Sequence, residues 1–286
     1  AVQSELYKNN GNGTFSNITE SAGFEISCEK CYIAGALWLD YDLDGYLDIF
    51  LSDYNQISPN KLYRNLGDET IEQIDLTDYI ENSNSFSAIP IYANDDMYPD
   101  IYIANDFDQF NQLLINLEGQ GFVEMAVEYG VEDPFDGMGL TTCDFNNDLS
   151  LDFFVTNIKE NSLYTKETSN SSFAYTNYSV EANLYDTDWA WGVTFSDFNH
   201  DGFEDFYVAN GFFNPENDRF FVNDSGNNFT YSDFSGNPPL MSKSRSVNSF
   251  DYDNDGDLDL IVTDFNLNVN LWENRSVDTY FSESIM

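Results

Sequence analysis

Short apolar runs, rich in β-branched and aromatic residues and closed by polar turn residues, recur along the whole chain. The strongest are "IFLSD" at 49, "IYIAN" at 101, "FFVTN" at 153, "FYVAN" at 206 and "LIVTD" at 260. Their composition predicts strands, with little of the 3.6-residue stripe of an amphipathic helix. Each is preceded by a second short apolar run, such as "AGALWL" at 34 or "WAWGVTF" at 189. A third starts 9–13 residues after each of the strongest runs: "KLYRN" at 61, "QLLIN" at 112, "SLYTK" at 162, "RFFVN" at 219 and "NLWEN" at 270. A fourth follows in "TIEQIDLT", "GFVEM", "SFAY", "NFTYS" and "DTYFS". Four short strands joined by turns, repeated at even spacing, are the sequence signature of β-propeller blades.

Between the first and second run of each unit lies one polar loop. "DYDLDGYLD" begins at Asp40, "DFNNDLSLD" at Asp144, "DFNHDGFED" at Asp197 and "DYDNDGDLD" at Asp251; a worn copy, "YANDDMYPD", begins at Tyr92. The starts are 52, 52, 53 and 54 residues apart, which sets units at about 25–80, 81–132, 133–183, 184–236 and 237–286 within a single expected domain, 1–286. "ELYKN" at 5 and "GTFSNIT" at 13 are a further copy of the outer half of a unit, spanning 1–24 without an acidic hairpin. The expectation is an all-β propeller of four-stranded blades, five to six in this chain and open to being part of a larger ring.

The loop chemistry points to a hard cation. Positions 1, 3 and 5 present side-chain oxygens on one side of a tight turn, and the glycine at 6 permits the positive φ such a turn demands. Position 7 offers a backbone carbonyl, and the aspartate at 9 closes the cage from the next strand. An all-oxygen, strongly charged set suits Ca2+ better than zinc or copper. The helical calcium loop shares the first six positions but needs Glu at position 12, where this chain has Leu51, Val155, Val208 and Val262. Asp, Asn and Gly also favour turns without any metal, which explains one such loop but not several in phase. In the copy at 144 Leu149 replaces the glycine, adding turn strain. The copy at 92 replaces the first ligand with Tyr92 and the glycine with Met97, leaving Asn94, Asp96 and Asp100 as a doubtful fifth site.

Composition narrows the partners. With 51 acidic residues against 10 basic and a formal charge of −41, the surface repels nucleic acid and anionic lipid, and no apolar run is long enough to span a bilayer. The start at Ala1 leaves room for a removed leader. The C-x-x-C of Cys28 and Cys31 reads as a small loop disulfide, a redox pair or half a zinc site, while Cys143 reads as a buried apolar residue. The single histidine, His200, lies in a metal-type loop at a position expected to face solvent, so His-dependent triads are excluded. N-x-S/T sequons at Asn12, Asn17, Asn170, Asn177, Asn223, Asn228 and Asn274 are glycosylation candidates if the chain is secreted by a eukaryote.

D-x-D/N-x-D-G-x-x-D between two strands, followed by "LIVTD" or "FYVANG" and later by "LYRN" and "GNGTF", resembles the FG-GAP/VCBS repeats of integrin α-subunit heads. The stretches "WAWGVTFSDFNHDGFEDFYVANG" (189–211) and "ELYKNNGNGTFSNITESAGF" (5–24) are more similar still to secreted proteins of the ASPIC/UnbV type, which include cartilage acidic protein. The resemblance implies a propeller, usually seven-bladed, with calcium in the hairpin loops and an extracellular adhesive or scaffolding role. Carried over by position, the side-chain ligands are Asp40, Asp42, Asp44 and Asp48; Asp144, Asn146, Asp148 and Asp152; Asp197, Asn199, Asp201 and Asp205; and Asp251, Asp253, Asp255 and Asp259. Position 7 is held by Tyr46, Ser150, Phe203 and Asp257.

A non-catalytic, extracellular binding module for a protein or glycan at the cell surface is thus the first expectation. Two alternatives stand beside it. One is a subunit that polymerises into fibres by lending its N-terminal half-blade to a copy of itself. The other is a calcium-dependent polysaccharide-binding protein or lyase, for which the telling feature is a concave pocket joining Arg or Lys to aromatics.

Overall fold

The structure, a computed structural model, describes residues 4–24, 31–94, 96–107, 109–166, 174–234 and 240–276. The chain is all-β, a propeller of five blades that divides into two compact units, residues 1–134 and 135–286. Among the described residues the only helix is α1 (Ala126–Tyr129).

The first unit opens with a two-stranded sheet, β1 (Tyr7–Asn9) and β2 (Phe15–Asn17). Blade I follows as β3 (Ile33–Leu39), β4 (Asp48–Asp53), β5 (Lys61–Asn65) and β6 (Ile71–Ile74). Blade II is β7 (Ser85–Ile91), β8 (Asp100–Asn105), β9 (Gln112–Asn116) and β10 (Phe122–Glu124). In the second unit blade III comprises β11 (Leu140–Cys143), β12 (Asp152–Val155), β13 (Ser162–Lys166) and β14 (Tyr175–Asn177). Blade IV is β15 (Ala190–Ser196), β16 (Asp205–Asn210), β18 (Arg219–Asn223) and β19 (Phe229–Ser232), its second and third strands separated by β17 (Glu216–Asn217), which pairs with β20 (Met241–Ser242). Blade V shows β21 (Ser244–Phe250), β22 (Asp259–Asp264) and β23 (Val269–Trp272); the expected fourth run, at 278–282, lies outside the described residues. The β17–β20 pair links the segment after a second strand to the start of the next blade, as the single bridges Tyr54↔Asn84 and Ile158↔Trp189 do elsewhere.

All pairings are antiparallel, as in Ile49↔Tyr63 and Phe206↔Phe221. The second strands read as unbroken apolar runs because both faces are covered: β4, β8, β12 and β16 are buried throughout. Within the first unit Phe50 of blade I packs with Ile101 and Ile103 of blade II. Within the second, the Phe154 ring of blade III lies 4.8 Å from Phe206 of blade IV, and Tyr207 of blade IV clusters with Val247, Leu260 and Val262 of blade V. First strands of successive blades also run close together. A Cβ at Gly192 would stand 2.8 Å from Ser246 Cα, so no larger residue fits there without displacement.

A buried polar residue ties the end of the second strand in blades I to IV. The N–H groups of Asp53, Asn105, Asn157 and Asn210 donate to the side chains of Asn60, Asn111, Asn161 and Asp218, at 2.7–2.8 Å. Blade IV alone uses a carboxylate, which also accepts from Tyr207 Oη (3.1 Å) and Ser244 Oγ (2.8 Å). Burial pushes the Asp218 carboxyl up to about 7. An unfolded aspartate ionises near 3.9, so between pH 4 and 7 the charge is easier to carry unfolded, and blade IV loses stability as pH rises through that window. Asn111 shows the remedy, since its amide donates to Tyr102 Oη, the counterpart of Tyr207. Asp218→Asn is therefore expected to stabilise the protein by about 2 kcal/mol at pH 8 and little at pH 4. Denaturant unfolding of both proteins at the two pH values measures it.

Candidate metal centres

The four well-kept loops share one hydrogen-bonded frame. The position-1 aspartates (Asp40, Asp144, Asp197, Asp251) accept the position-5 N–H on Oδ1 and the position-6 N–H on Oδ2, all at 3.0–3.2 Å. The position-5 carboxylates of Asp44, Asp148, Asp201 and Asp255 accept the N–H of Tyr46, Ser150, Phe203 and Asp257 at 2.8–3.0 Å. Position 9 works from the neighbouring strand: Asp48, Asp152, Asp205 and Asp259 are wholly buried and accept the N–H of Asn65, Lys166, Asn223 and Asn274 from the third strand. The frame thus turns several carboxylates toward one another in each loop.

The donor set fits a divalent cation held by oxygen. One oxygen from each of Asp40, Asp42 and Asp48 lies within 4.8 Å of the others, and Asp251, Asp253 and Asp259 form the same cluster. In the loops at 144 and 197, where position 3 is Asn146 or Asn199, Oδ2 of Asp152 and of Asp205 is buried without an in-line hydrogen bond, and the position-2 N–H of Phe145 or Phe198 only partly favours its charge. A buried carboxylate oxygen left poorly paired is costly, and a cation at this point would relieve it. Burial pushes Asp152 and Asp205 up to about 7 and Asp48 up to about 6, against the backbone N–H groups that favour the charged form. Residues at positions 1, 3, 5 and 9 would hold Ca2+; its charge would offset a repulsion that the loop's own amides only partly screen.

The loops differ in ways that bear on affinity. Leu149 takes the glycine role at φ +67 with its side chain in solvent, while Gly45, Gly202 and Gly256 sit at φ +91 to +97. A left-handed leucine costs about 1 kcal/mol relative to glycine, so the frame at 144 persists under strain. In the loop at 92 no carboxylate stands at position 1, Tyr92 is half exposed, and Asn94 Nδ2 donates to Asp96 Oδ2 at 2.7 Å. Asp100 is buried and bonded to Ala93 and Asn116 like other position-9 residues; Asp95 lies outside the described residues. The loop at 40 carries its own cation. Arg64 Nη2 reaches Asp44 Oδ2 at 3.2 Å, and Nε lies 2.7 Å from Asp42 Oδ2, out of line for a hydrogen bond.

Sequence reasoning missed three features of the site. Position 4 is left-handed in every good loop (Leu43, Asn147, His200 and Asn254, φ +57 to +61), as is the glycine position. Position 4 also reaches the next loop: Asn147 Nδ2 donates to Gly202 O (2.8 Å), and His200 Nε2 lies 2.7 Å from Oδ1 of the buried Asp257. His200 therefore braces loop 251 instead of simply facing solvent. Last, the terminal asparagine of the third strand crosses between blades. Asn116 Nδ2 donates to Tyr41 O, Asn223 to Phe145 O and Asn274 to Phe198 O, each at 2.8 Å and each to position 2 of the preceding loop. Their invariable place at the end of "QLLIN", "RFFVN" and "NLWEN" was the available signal. Asn223 and Asn274 are buried in this latch, so their sequons are structural and closed to a glycan. Cys31 is disulfide-bonded, Cys28 lies outside the described residues, and Cys143 is free and buried, its thiol pushed up by burial.

Comparison with solved structures places this geometry among known folds. The chain is similar to an Agrocybe aegerita lectin solved for its specific recognition of non-reducing terminal N-acetylglucosamine, at 14% identity and TM-score 0.51, covering 94% of this chain and 74% of that one. It is also similar to the V. cholerae biofilm matrix protein Bap1, at 11% identity and TM-score 0.45, covering 87% of this chain but only 40% of that one. At such identities the first likeness speaks for the fold alone. No curated protein sequence matches the chain. Residues 144–208 and 197–262, each running from one acidic loop through the next second strand, match the FG-GAP-like repeat, so this stretch of the propeller carries FG-GAP-like repeats.

Proposed function

We propose that this protein is an extracellular, calcium-binding adhesion or scaffold module without catalytic activity. The observation that carries the reading is the in-phase set of carboxylate cages, with poorly paired buried oxygens at Asp152 and Asp205. The disulfide at Cys31 and the excess of acid over base support a calcium-rich, oxidising setting outside the cell. Isothermal titration with Ca2+ tests it: binding of several ions, reduced by one for each of Asp144→Ala, Asp197→Ala and Asp251→Ala, is the expected result. The same titration addresses the loop at 40. Arg64 sits where a second cation would be repelled, so Arg64→Met is expected to tighten the site at 40 on the order of fivefold.

A glycan as the bound partner is the second reading. A cavity of about 720 Å³ in the first unit is lined by Phe110, Tyr79, Gln109, Glu81 and Glu124, an aromatic surface beside hydrogen-bonding groups. None of its lining residues is Lys or Arg. In the second unit Arg245 does stack on Trp191 at 4.1 Å, but its Nη1 is spent on the carbonyls of Gly211, Lys243 and Ser244. These features favour binding over lyase chemistry, and glycan-array screening with Phe110→Ala as control separates glycan from protein partners.

A further inference from the structure

The first strands of blades I, II, IV and V break register with their partners right after the first residue, at Ala34, Phe86, Trp191 and Arg245. Such a bulge re-aims a side chain out of the sheet's ordinary alternation. In the first unit Phe86 meets Tyr54, ring to ring at 5.7 Å. In the second unit the two re-aimed residues meet each other. The Arg245 guanidinium lies 4.1 Å above the Trp191 ring and 5.3 Å from each of Phe212 and Phe265. Phe265 directly follows β22, and Phe212 and Phe213 come shortly after β16. Trp189 continues this aromatic layer, 4.6 Å from Phe212 and 5.5 Å from Phe213.

Arg245 is held by one edge only. Its Nη1 donates to the carbonyls of Gly211, Lys243 and Ser244. Nε and Nη2, the fork that grips a carboxylate with two parallel bonds, donate to no group among the described residues and stay open to solvent. Arg64, Arg219 and Arg275 each meet a carboxylate; among the described residues Arg245 has no ion pair. Acid is not lacking in a chain with 51 acidic residues. Asp264, whose charge reaches Arg245 through space, spends both oxygens on Asn266 and Asn268. Phe265 (65%) and Phe213 (74%) meanwhile leave their rings in solvent. A purely structural staple accounts for the stacked guanidinium and the bonds of Nη1. It does not account for an open fork beside exposed rings.

We infer that Arg245, Phe265 and Phe213 form a binding site for a sugar ring that carries a carboxylate, a uronate residue in an otherwise neutral glycan. The fork takes both carboxylate oxygens while the C–H face of the ring lies on an exposed aromatic face. One rigid ligand satisfies both features, which a flexible Asp or Glu side chain of a protein does not. The net charge of −41 repels a polyanion and so favours an isolated acid group. The inference rests on the glycan reading above for its ligand class, uses none of the residues of the first-unit cavity, and does not depend on calcium. Ligand-observed NMR titration of the calcium-loaded protein with methyl glucuronide, methyl glucoside and N-acetylglutamate tests it. The glucuronide is expected to bind about tenfold more tightly than the other two. Arg245→Lys, which keeps the charge and loses the fork, is expected to weaken it about tenfold. Phe265→Ser, at an exposed ring, is expected to weaken it several-fold with an unchanged thermal midpoint. A glucuronide no tighter than the glucoside, or unaffected by both variants, overturns the inference. N-acetylglutamate binding as well as the glucuronide overturns it in favour of a protein carboxylate. Glucuronide binding lost in Phe110→Ala but kept in Arg245→Lys moves the sugar to the first-unit cavity, which overturns this site and leaves the glycan reading standing. Failure of every glycan on the array and of the glucuronide fells both.

Discussion

Chelating calcium is expected to lower the thermal midpoint of residues 135–286 by about 13 °C and that of residues 1–134 by about 5 °C. The difference follows from loop count. The second unit holds the loops at 144, 197 and 251, the first only that at 40 in good repair. A site occupied about tenfold over its dissociation constant adds about 1.4 kcal/mol by linkage, so three add about 4 kcal/mol. Unfolding entropy near 2.1 cal/mol/K per residue gives about 0.3 kcal/mol/K for either unit, which converts those energies into the stated shifts. The wholly buried position-9 aspartates make the effect steeper than for surface ions, because removing the metal leaves their charge facing only backbone amides. Scanning calorimetry with calcium and with excess EGTA reads both transitions. Identical traces would end the calcium reading, and equal shifts would mean that the loops at 40 and 92 bind as well as those of the second unit.

Much of this was legible in the chain because the repeat compares each position with four others. Second strands such as "FYVAN" announced themselves by unbroken apolar character, since burial on both faces leaves no room for alternation. The loop positions were legible for the same reason, and the glycine at position 6 marked where the backbone turns left-handed. What stayed hidden were contacts whose partner is fixed only by the stacking of blades. Nothing in "DFNHDG" tells that His200 meets Asp257, 57 residues onward. Arg64 was equally silent: its reach to Asp42 and Asp44 depends on the twist between β4 and β5, not on any spacing in the sequence. The hairpin β1–β2 was visible as half a unit, but its fastening to blade I through Ile71 and Ala22 required the structure.

The asparagine latch gives the second large effect. Asn223 is 2% exposed; its Nδ2 donates to Phe145 O (2.8 Å) and Glu204 O (3.0 Å), and its Oδ1 accepts from Gly226 N–H (2.9 Å). Alanine removes all three bonds and strands two carbonyls and an amide, so Asn223→Ala is expected to destabilise the second unit by about 3 kcal/mol. Blade III supplies the internal control, since Lys166 occupies this place with no carboxamide to donate and its N–H still reaches Asp152, at 3.3 Å. The strand itself therefore survives without the amide, and the loss falls on the junction between blades III and IV. Because Phe145 is position 2 of the loop at 144, the variant is also expected to weaken calcium at that loop while leaving the loop at 251 unchanged. Denaturant unfolding with and without calcium separates the two effects: a latch that acts on packing alone costs the same in both conditions, whereas one that also shapes the metal loop costs more when calcium is present.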